Sequence, residues 1–180
     1  MHITIIKANF AHAAVIASIG KKSFRNAFGQ LFKSKEELFD YLEHAYDPVK
    51  LTKSLKKGEN VYFLAMIENV PAGFAKVKIN SLNEYIEPIA QMELQKLYVL
   101  PEYQGTGAGT ALIEEVKRFA HDINPDYLWL DTYINNEKAI RFYEKNGFEK
   151  LGKDLFTIGT QTFDYYIMGM PVAIHIRTAC

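Results

Sequence analysis

The chain has 180 residues, of which 48% are hydrophobic and 23% are charged, and these values are ordinary for a folded globular protein. The 21 basic and 21 acidic residues cancel, so the overall charge gives no reason to expect nucleic acid or an anionic membrane surface as a partner. No apolar run approaches the ~20 residues of a membrane-spanning helix, and the first residues lack the flanks of a signal peptide.

Hydrophobic periodicity, helix caps and turn residues predict alternating helices and strands along the chain. Strands are predicted at residues 2–7, 61–67, 73–79, 91–99, 127–132, 148–158 and 163–170. Helices are predicted at residues 10–28, from 34 to about 45, 47–58, 110–121 and 137–146, with caps at Asn9, Ser34 and Asp47. Residues 81–89 are predicted as a polar loop. We expect one domain over residues 1–171, followed by a tail over residues 172–180.

The most informative segment lies between the fourth strand and the helix that begins at Thr110. It is a glycine-rich loop with the sequence Gln104-Gly105-Thr106-Gly107-Ala108-Gly109. Glycines let the backbone approach a ligand closely. The N-terminus of the following helix adds unpaired N–H groups and a partial positive charge. This combination predicts a binding site for a phosphate or pyrophosphate group.

Three kinds of phosphate-binding loop are compared with this segment. A P-loop ends in Gly-Lys-Ser/Thr, whereas Gly109 is followed by Thr110 and Ala111. A dinucleotide fingerprint needs its third glycine at Thr110, and its strand runs directly into the first glycine, whereas here a turn at Pro101 separates them. Asp131 does agree with this motif, because it has about the spacing of the ribose-binding acid. The third kind is Gln/Arg-Gly-x-Gly-x-Gly/Ala, which the loop fits at every defined position. The loop resembles the coenzyme A loop of the GNAT acetyltransferases.

A second motif strengthens the resemblance. After the strand at residues 127–132, the chain is similar to the second GNAT signature at Asn136, Ala139, Tyr143, Gly147 and Phe148. The two signatures together cover roughly residues 93–148. The resemblance implies the α/β (α+β) GNAT fold, in which a mixed, twisted sheet of about seven strands is flanked by helices. It also implies a cleft where the fourth and fifth strands splay apart.

The resemblance implies acetyl-CoA as cosubstrate, held by the fourth strand's backbone, the loop and the second signature. The residues expected to bind it are Leu97, Tyr98, Val99, Gln104, Gly105, Thr106, Gly107, Ala108, Gly109, Thr110, Asn136 and Lys145. Side-chain alternation supports a β-bulge in the fourth strand, because Glu93 and Gln95 share a polar face on which Leu97 and Val99 then place apolar groups.

Acetyl transfer from a thioester to an amine needs a polarised carbonyl, a neutral amine and a protonated leaving thiolate. Tyr143 matches the family tyrosine near the coenzyme sulfur, and a phenol with a reference pKa of ~10 is a proton donor at neutral pH. Glu93 matches the position of a catalytic glutamate in several GNAT enzymes. There it would act as a base, directly or through a water molecule, or it would bind a cationic substrate. The alternative to these functional roles is a structural one, in which Glu93 is a rim carboxylate paired with a lysine. Asn136 matches an asparagine that binds the coenzyme arm, and it can also cap its helix.

The acceptor is predicted from residues 24–55, which resemble the corresponding region of PaiA-type polyamine acetyltransferases. This region is rich in aromatic rings and carries the acids Glu36, Glu37, Asp40, Glu43 and Asp47. Such residues suit a polycationic amine such as spermidine or spermine, but they equally suit the solvated face of a helix. A protein N-terminal or lysine acetyltransferase and a non-catalytic acyl-CoA-binding regulator are the alternative functions.

The remaining features concern metals, partners and location. The five histidines show no metal-ligand spacing, so we expect no metal. Lys138 and Arg141 are expected to pair with acids of their own helix, whereas Lys145 is the best candidate of this face for the coenzyme phosphates. Cys180 is the one cysteine and cannot form an internal disulfide, which indicates a reducing, cytoplasmic location. A small-molecule amine is the expected partner, and a homodimer is an open alternative to a monomer.

Overall fold

The computed structural model describes residues 2–172, in which seven strands form one mixed sheet. The strands are β1 (Ile3–Lys7), β2 (Asn60–Ile67), β3 (Val70–Ile79), β4 (Gln91–Val99), β5 (Tyr127–Tyr133), β6 (Glu149–Ile158) and β7 (Gln161–Pro171). Their spatial order is β1-β2-β3-β4-β5-β7-β6. Neighbouring strands are antiparallel except β4 and β5, which run parallel. The predicted mixed sheet is confirmed. Residues 173–180 of the predicted tail, with Cys180, lie outside the described residues.

Helices flank the sheet. They are α1 (Ala13–Phe28), α2 (Lys35–Ala45), α3 (Pro48–Leu55), α4 (Ala108–Ile123) and α5 (Glu137–Lys145). The three predicted caps are confirmed, because a side-chain oxygen accepts a hydrogen bond from the first turn at Asn9 (2.9 Å), Ser34 (3.2 Å) and Asp47 (2.7 Å). The first helix differs from the prediction in that a short 3-10 turn precedes α1. Within residues 2–172, no helix is both long enough and apolar enough to cross a membrane.

Two helical layers cover opposite faces of the sheet. Because successive residues of a strand point to opposite faces, the sheet supplies apolar side chains to both layers. The helices α4 and α5 pack on one face through buried residues such as Leu112 and Ile140. The helices α1, α2 and α3 pack on the other through Ile16, Leu42 and Leu51. We refer to this second side of the sheet as the α1–α3 face.

The strand β4 contains the break that its side-chain alternation predicts. Leu94 pairs with Val77 of β3 and Lys96 pairs with Lys76, so Gln95 is an extra residue without a partner in the ladder. An extra residue of this kind is a β-bulge, which bends the strand and increases its twist. The predicted bulge is therefore confirmed.

The strands β4 and β5 separate shortly after they meet. Their parallel pairing covers only Gln91 to Glu93 on β4 and Tyr127 to Trp129 on β5. Beyond these residues β4 keeps its partner β3 and β5 keeps its partner β7. A cleft therefore opens between the two strands, as predicted, and one edge of β4 has no strand partner from Leu94 onward.

Candidate active site

The glycine-rich loop leads from the free end of β4 into α4. Gly107 lies at the N-cap of α4 with a φ of 97°, and Gly105 has a φ of 80°. L-residues rarely adopt such angles, so the path of the loop depends on glycine at both positions. Since Gly107 takes the cap position, α4 begins at Ala108, earlier than predicted.

The loop presents a row of unpaired backbone donors. Within residues 2–172, the N–H groups of Gly105, Gly107, Gly109 and Thr110 have no hydrogen-bond partner. At Gly105 an added Cβ would meet nothing within 4 Å, which shows open space beside the loop. Free N–H groups at the start of a long helix form an anion site. The loop therefore fits the pyrophosphate of a coenzyme.

Other loop residues hold the loop in shape. The Thr106 hydroxyl donates to the carbonyl of Tyr103 at 2.7 Å and accepts from the N–H of Ala108 at 3.4 Å. The side-chain oxygen of Gln104 accepts from Lys138 Nζ at 2.9 Å, which ties the loop to α5. The side chains of Thr106 and Gln104 are thus engaged within the protein, while their backbone remains a predicted coenzyme contact.

The predicted thioester and pantetheine contacts lie on the open edge of β4. Leu97, Tyr98 and Val99 follow the bulge and pair with β3 on one side only. The Tyr98 ring points to the α1–α3 face, where it lies 5.8 Å from the Phe74 ring and 6.5 Å from the Tyr46 ring. Backbone groups on the β5 side of this segment are therefore available to a ligand in the cleft.

Tyr143 lies on α5 with its ring held by two neighbours. Its centroid is 5.4 Å from Phe142 and 5.8 Å from Phe148 in edge-to-face geometry. Among residues 2–172 no hydrogen bond is found for the Tyr143 hydroxyl. Burial raises the pKa of Tyr143 above its ordinary value, and the charge of Asp131 raises this pKa further. The phenol therefore stays protonated at neutral pH, and its pKa responds to the charge of Asp131.

The rest of the second signature has clear structural partners. Asn136 caps α5, because its side-chain oxygen accepts from the N–H of Ala139 at 3.2 Å. Arg141 pairs with Glu137 at 2.9 Å, as expected from their spacing. Lys145 is exposed at the end of α5. Coenzyme binding by Asn136 and Lys145 stays a prediction.

Glu93 is buried on β4, just before the cleft opens. Its side chain is 8% exposed, and its carboxylate accepts a hydrogen bond of 2.6 Å from the Ser81 hydroxyl. Lys78 is its register partner on β3, but within residues 2–172 Glu93 forms no ion pair with a lysine. The charge of Glu93 still opposes the lowering of the pKa of Lys76 and of Lys96, so a carboxylate paired with a lysine stays the alternative prediction. Its role in catalysis stays a prediction.

A second carboxylate shares the cleft, and the sequence prediction of the site missed it. Asp131 follows the buried run Leu128 to Leu130 on β5 and is reached by solvent from the cleft. Loss of hydration within the cleft raises the pKa of Asp131 to about 6. The charge of Glu93 also raises this pKa, and the charge of Lys96 lowers it. A charged residue within an apolar strand is a signal that could have identified it.

Aromatic rings line the α1–α3 face beside these acids. The rings of Phe24 and Tyr41 are 4.9 Å apart, those of Phe28 and Tyr133 are 6.3 Å apart, and Tyr165 lies 6.0 Å from Tyr133. Burial raises the pKa of Tyr41 to about 12, and the charge of Asp131 raises the pKa values of both Tyr41 and Tyr165. The charge of Asp131 thus acts on two of the tyrosines of this aromatic surface.

The acids predicted to bind the acceptor are only partly available. Glu37 accepts a hydrogen bond of 2.9 Å from the Thr160 hydroxyl, and Glu43 pairs with Lys21 at 2.7 Å. Asp47 caps α3. Glu36 and Asp40 are exposed on α2. Three of the five acids therefore have structural partners, and the carboxylates nearest the cleft are instead Glu93 and Asp131. Among the described residues, no group of His, Cys, Asp and Glu side chains is placed to hold a metal ion.

Comparisons with known proteins agree with this geometry. Residues 24–148 match the Acetyltransferase (GNAT) family. An uncharacterized N-acetyltransferase of Lactobacillus delbrueckii subsp. lactis is 22% identical over 158 residues, which cover 87% of this chain and 90% of the relative. An N-alpha-acetyltransferase of Saccharolobus solfataricus is 27% identical over 123 residues, which cover 66% of this chain and 73% of the relative.

A solved structure shows the same fold. The PaiA N-acetyltransferase of Thermoplasma acidophilum, crystallised in complex with coenzyme A, superposes with a TM-score of 0.78 at 20% identity, over 95% of this chain and 99% of that one. The family match spans the glycine-rich loop, the splayed strands and the helix with Tyr143. The chain therefore belongs to the GNAT family of acetyl-CoA-dependent N-acetyltransferases.

Proposed function

We propose that the protein transfers the acetyl group of acetyl-CoA directly to a primary amine, with a polyamine such as spermidine or spermine as the acceptor. The observation that carries the proposal is the placement of three parts around one cleft. The free N–H groups of the glycine-rich loop lie at its β4 end. Besides burial, the charge of Asp131 raises the pKa of Tyr143, and Glu93 lies where β4 and β5 part.

The coenzyme side of the cleft would bind acetyl-CoA and orient its thioester. The N–H groups of Gly105, Gly107, Gly109 and Thr110 would hold the pyrophosphate, and the open edge of β4 would hold the arm. Acetyl-CoA supplies an acetyl group activated as a thioester. Tyr143 would then donate its phenolic proton to the leaving thiolate.

The acceptor side supplies the base. A bound ammonium group must lose a proton before its nitrogen can attack, and a base works best when its pKa lies near the operating pH. Asp131, with a pKa raised to about 6, is ionised at neutral pH and suits this task. Glu93 contributes part of that shift through its own charge. We assign the base to this carboxylate pair, in which the charge of Glu93 adds to the effect of burial on the pKa of Asp131.

Support for a polyamine comes from the same surface. The aromatic rings of the α1–α3 face offer their faces to a cationic chain. The exposed acids Glu36 and Asp40 lie on α2, the helix that carries Tyr41. A protein acceptor is the second candidate, because the Saccharolobus relative is named an N-alpha-acetyltransferase. Tyr143 and Glu93, which match catalytic positions of the family, argue against a regulator without activity.

The test is acetyl-CoA consumption, followed as free thiol, against a panel of spermidine, spermine and a peptide with a lysine and a free N-terminus. A blank without acceptor corrects for Cys180. Thiol release with the polyamines and not with the peptide supports the proposal. If thiol is released with the peptide but not with the polyamines, the protein-acceptor function is assigned instead. Binding of acetyl-CoA without release on any acceptor contradicts the proposed activity. The homodimer is a separate prediction, which light scattering after gel filtration tests.

A further inference from the structure

A lysine pocket lies on the α1–α3 face, at the end of the sheet away from the glycine-rich loop. It is open to solvent and has a volume of ≈ 400 Å³, a size ordinary for small ligands. Its basic lining consists of Lys50, Lys53, Lys57, Lys76 and Lys78. The first two belong to α3, Lys57 follows α3, and Lys76 and Lys78 belong to β3. These five side chains define the lysine pocket below.

The lysine pocket concentrates one sign of charge in a protein that has no net charge. Five of the 21 basic residues line it, and Glu59 is its one carboxylate. Within residues 2–172 none of the five lysines forms an ion pair with an acid, whereas Lys21, Lys22, Lys117 and Lys150 each pair with a glutamate elsewhere. The remaining lining consists of Gln95 and of Ser54 and Asn60, whose side chains hydrogen-bond to each other at 2.9 Å.

Burial and the crowding of positive charges lower the pKa of Lys76. It is half-buried on β3, with its ammonium group 5.6 Å from the centroid of the Tyr62 ring. Burial lowers the pKa of Lys76 to about 8, and the charges of Lys96, Lys78 and Lys57 lower it as well, opposed by Glu93. Like charges held together in this way are stabilised when an anion enters between them.

We propose that the lysine pocket binds a multivalent phosphate group, either as a free anion or as part of an acceptor molecule. Lysine ammonium groups bind phosphate oxygens through short, charge-assisted hydrogen bonds. A single negative charge would leave most of the five lysines unbalanced, so the pocket suits an anion of several charges. The site is separate from the pyrophosphate-binding loop, and the binding of a free anion does not depend on the proposed acetyl transfer.

The pocket adjoins the catalytic cleft. Lys78 is the register partner of Glu93, Lys76 is the register partner of Lys96, and the bulge residue Gln95 lines the pocket itself. An anion in the pocket lowers the positive potential on this part of the α1–α3 face. A cationic acceptor in the cleft then meets less repulsion, so its KM falls when the pocket is filled.

The experiment is calorimetric titration of tripolyphosphate into the enzyme saturated with coenzyme A, which keeps the glycine-rich loop occupied. We expect one binding site, with an affinity that weakens as salt is added. The variant K53Q/K57Q removes two exposed lysines of the pocket and should weaken binding about tenfold or more. The matched control K33Q/K35Q removes the same charge near the start of α2, outside the pocket, and should bind as the wild type does. Titration with coenzyme A checks that both variants are folded.

Each outcome decides the proposal. Absence of tripolyphosphate binding, or equal weakening in the two variants, would overturn it. If binding is selective, a comparison of ethanolamine with phosphoethanolamine as acceptors identifies the source of the phosphate. A preference for phosphoethanolamine that K53Q/K57Q abolishes assigns an acceptor-borne phosphate. If the enzyme does not prefer phosphoethanolamine over ethanolamine, and tripolyphosphate lowers the KM for spermidine, the natural ligand of the pocket is a free anion.

Discussion

Substitution of Tyr143 by Phe tests the proposed proton donor. The change removes only the hydroxyl and keeps the ring, which packs edge-to-face on Phe142 and Phe148. Because no hydrogen bond of the Tyr143 hydroxyl is found among residues 2–172, its removal leaves no polar group unpaired. We expect the free energy of unfolding to change by less than about 1 kcal/mol.

The expected loss of rate follows from the position of the phenol. General acids contribute about 10²–10⁴-fold to the rate. A thiol has an unperturbed pKa of ~8.5, whereas burial and Asp131 raise the pKa of Tyr143 above that of an ordinary phenol. Proton transfer from so weak an acid to the thiolate is uphill, so we expect the low end of the range. A fall in kcat of about 100-fold corresponds to about 2.7 kcal/mol.

The assay is kcat for thiol release at saturating acetyl-CoA, with the coenzyme affinity measured in parallel. Tyr143→Phe should lower kcat and leave the affinity for coenzyme A unchanged. Tyr127→Phe is the matched control, since Tyr127 is a half-buried tyrosine at the closed end of the β4–β5 pair. A Tyr143→Phe enzyme with kcat within about twofold of the control would refute the assignment.

Three further predictions concern the acids and the loop. The acid limb of the kcat/KM profile should lie near pH 6, and Asp131→Asn should abolish this limb. Glu93→Gln should move the limb to lower pH, because the charge of Glu93 raises the pKa of Asp131. A limb that stays in place in Glu93→Gln contradicts the proposed pairing of the two acids. The folded pKa of Asp131 is raised from 3.8 to about 6, so its contribution to stability is full below the unfolded pKa and is lost as the pH rises through the folded one. Asp131→Asn should therefore stabilise the protein at pH 8 by about 1 kcal/mol, a figure reduced for solvent access, and thermal unfolding of both proteins at acidic and alkaline pH checks this. Gly107→Ala forces a Cβ onto a residue with a φ of 97° and should raise the KM for acetyl-CoA about tenfold, whereas Gly58→Ala, where a Cβ meets nothing within 4 Å, should leave this KM unchanged.

Features that depend on neighbours in the chain are readable in the sequence. The caps at Asn9, Ser34 and Asp47 act on N–H groups two or three residues away, so a local pattern suffices to predict them. The bulge in β4 shows in the alternation of side chains, because the two faces of a strand have different surroundings. The glycine-rich loop is likewise a short segment, and its dihedral angles require the glycines that identify it.

The two acids of the proposed base illustrate the limit of such patterns. Glu93 was predicted from its place on β4, but its environment depends on Ser81 in a loop and on Asp131 in another strand. The α2 acids were predicted for the acceptor, yet Glu37 contacts Thr160 from the distant β6–β7 turn. A helix pattern cannot reveal such a contact, since it depends on how distant elements pack.

The sequence by itself therefore determined the order of elements, the two signatures and the coenzyme loop, because each rests on residues within one or two turns of the chain. Only the tertiary structure decided which charges meet. It placed Glu93 opposite Trp129, two residues before Asp131, through the β4–β5 pairing, and it gathered the lysine pocket from α3 and β3. The physical reason is that electrostatic interactions act through space, and distances between elements far apart in sequence are set by strand register and core packing.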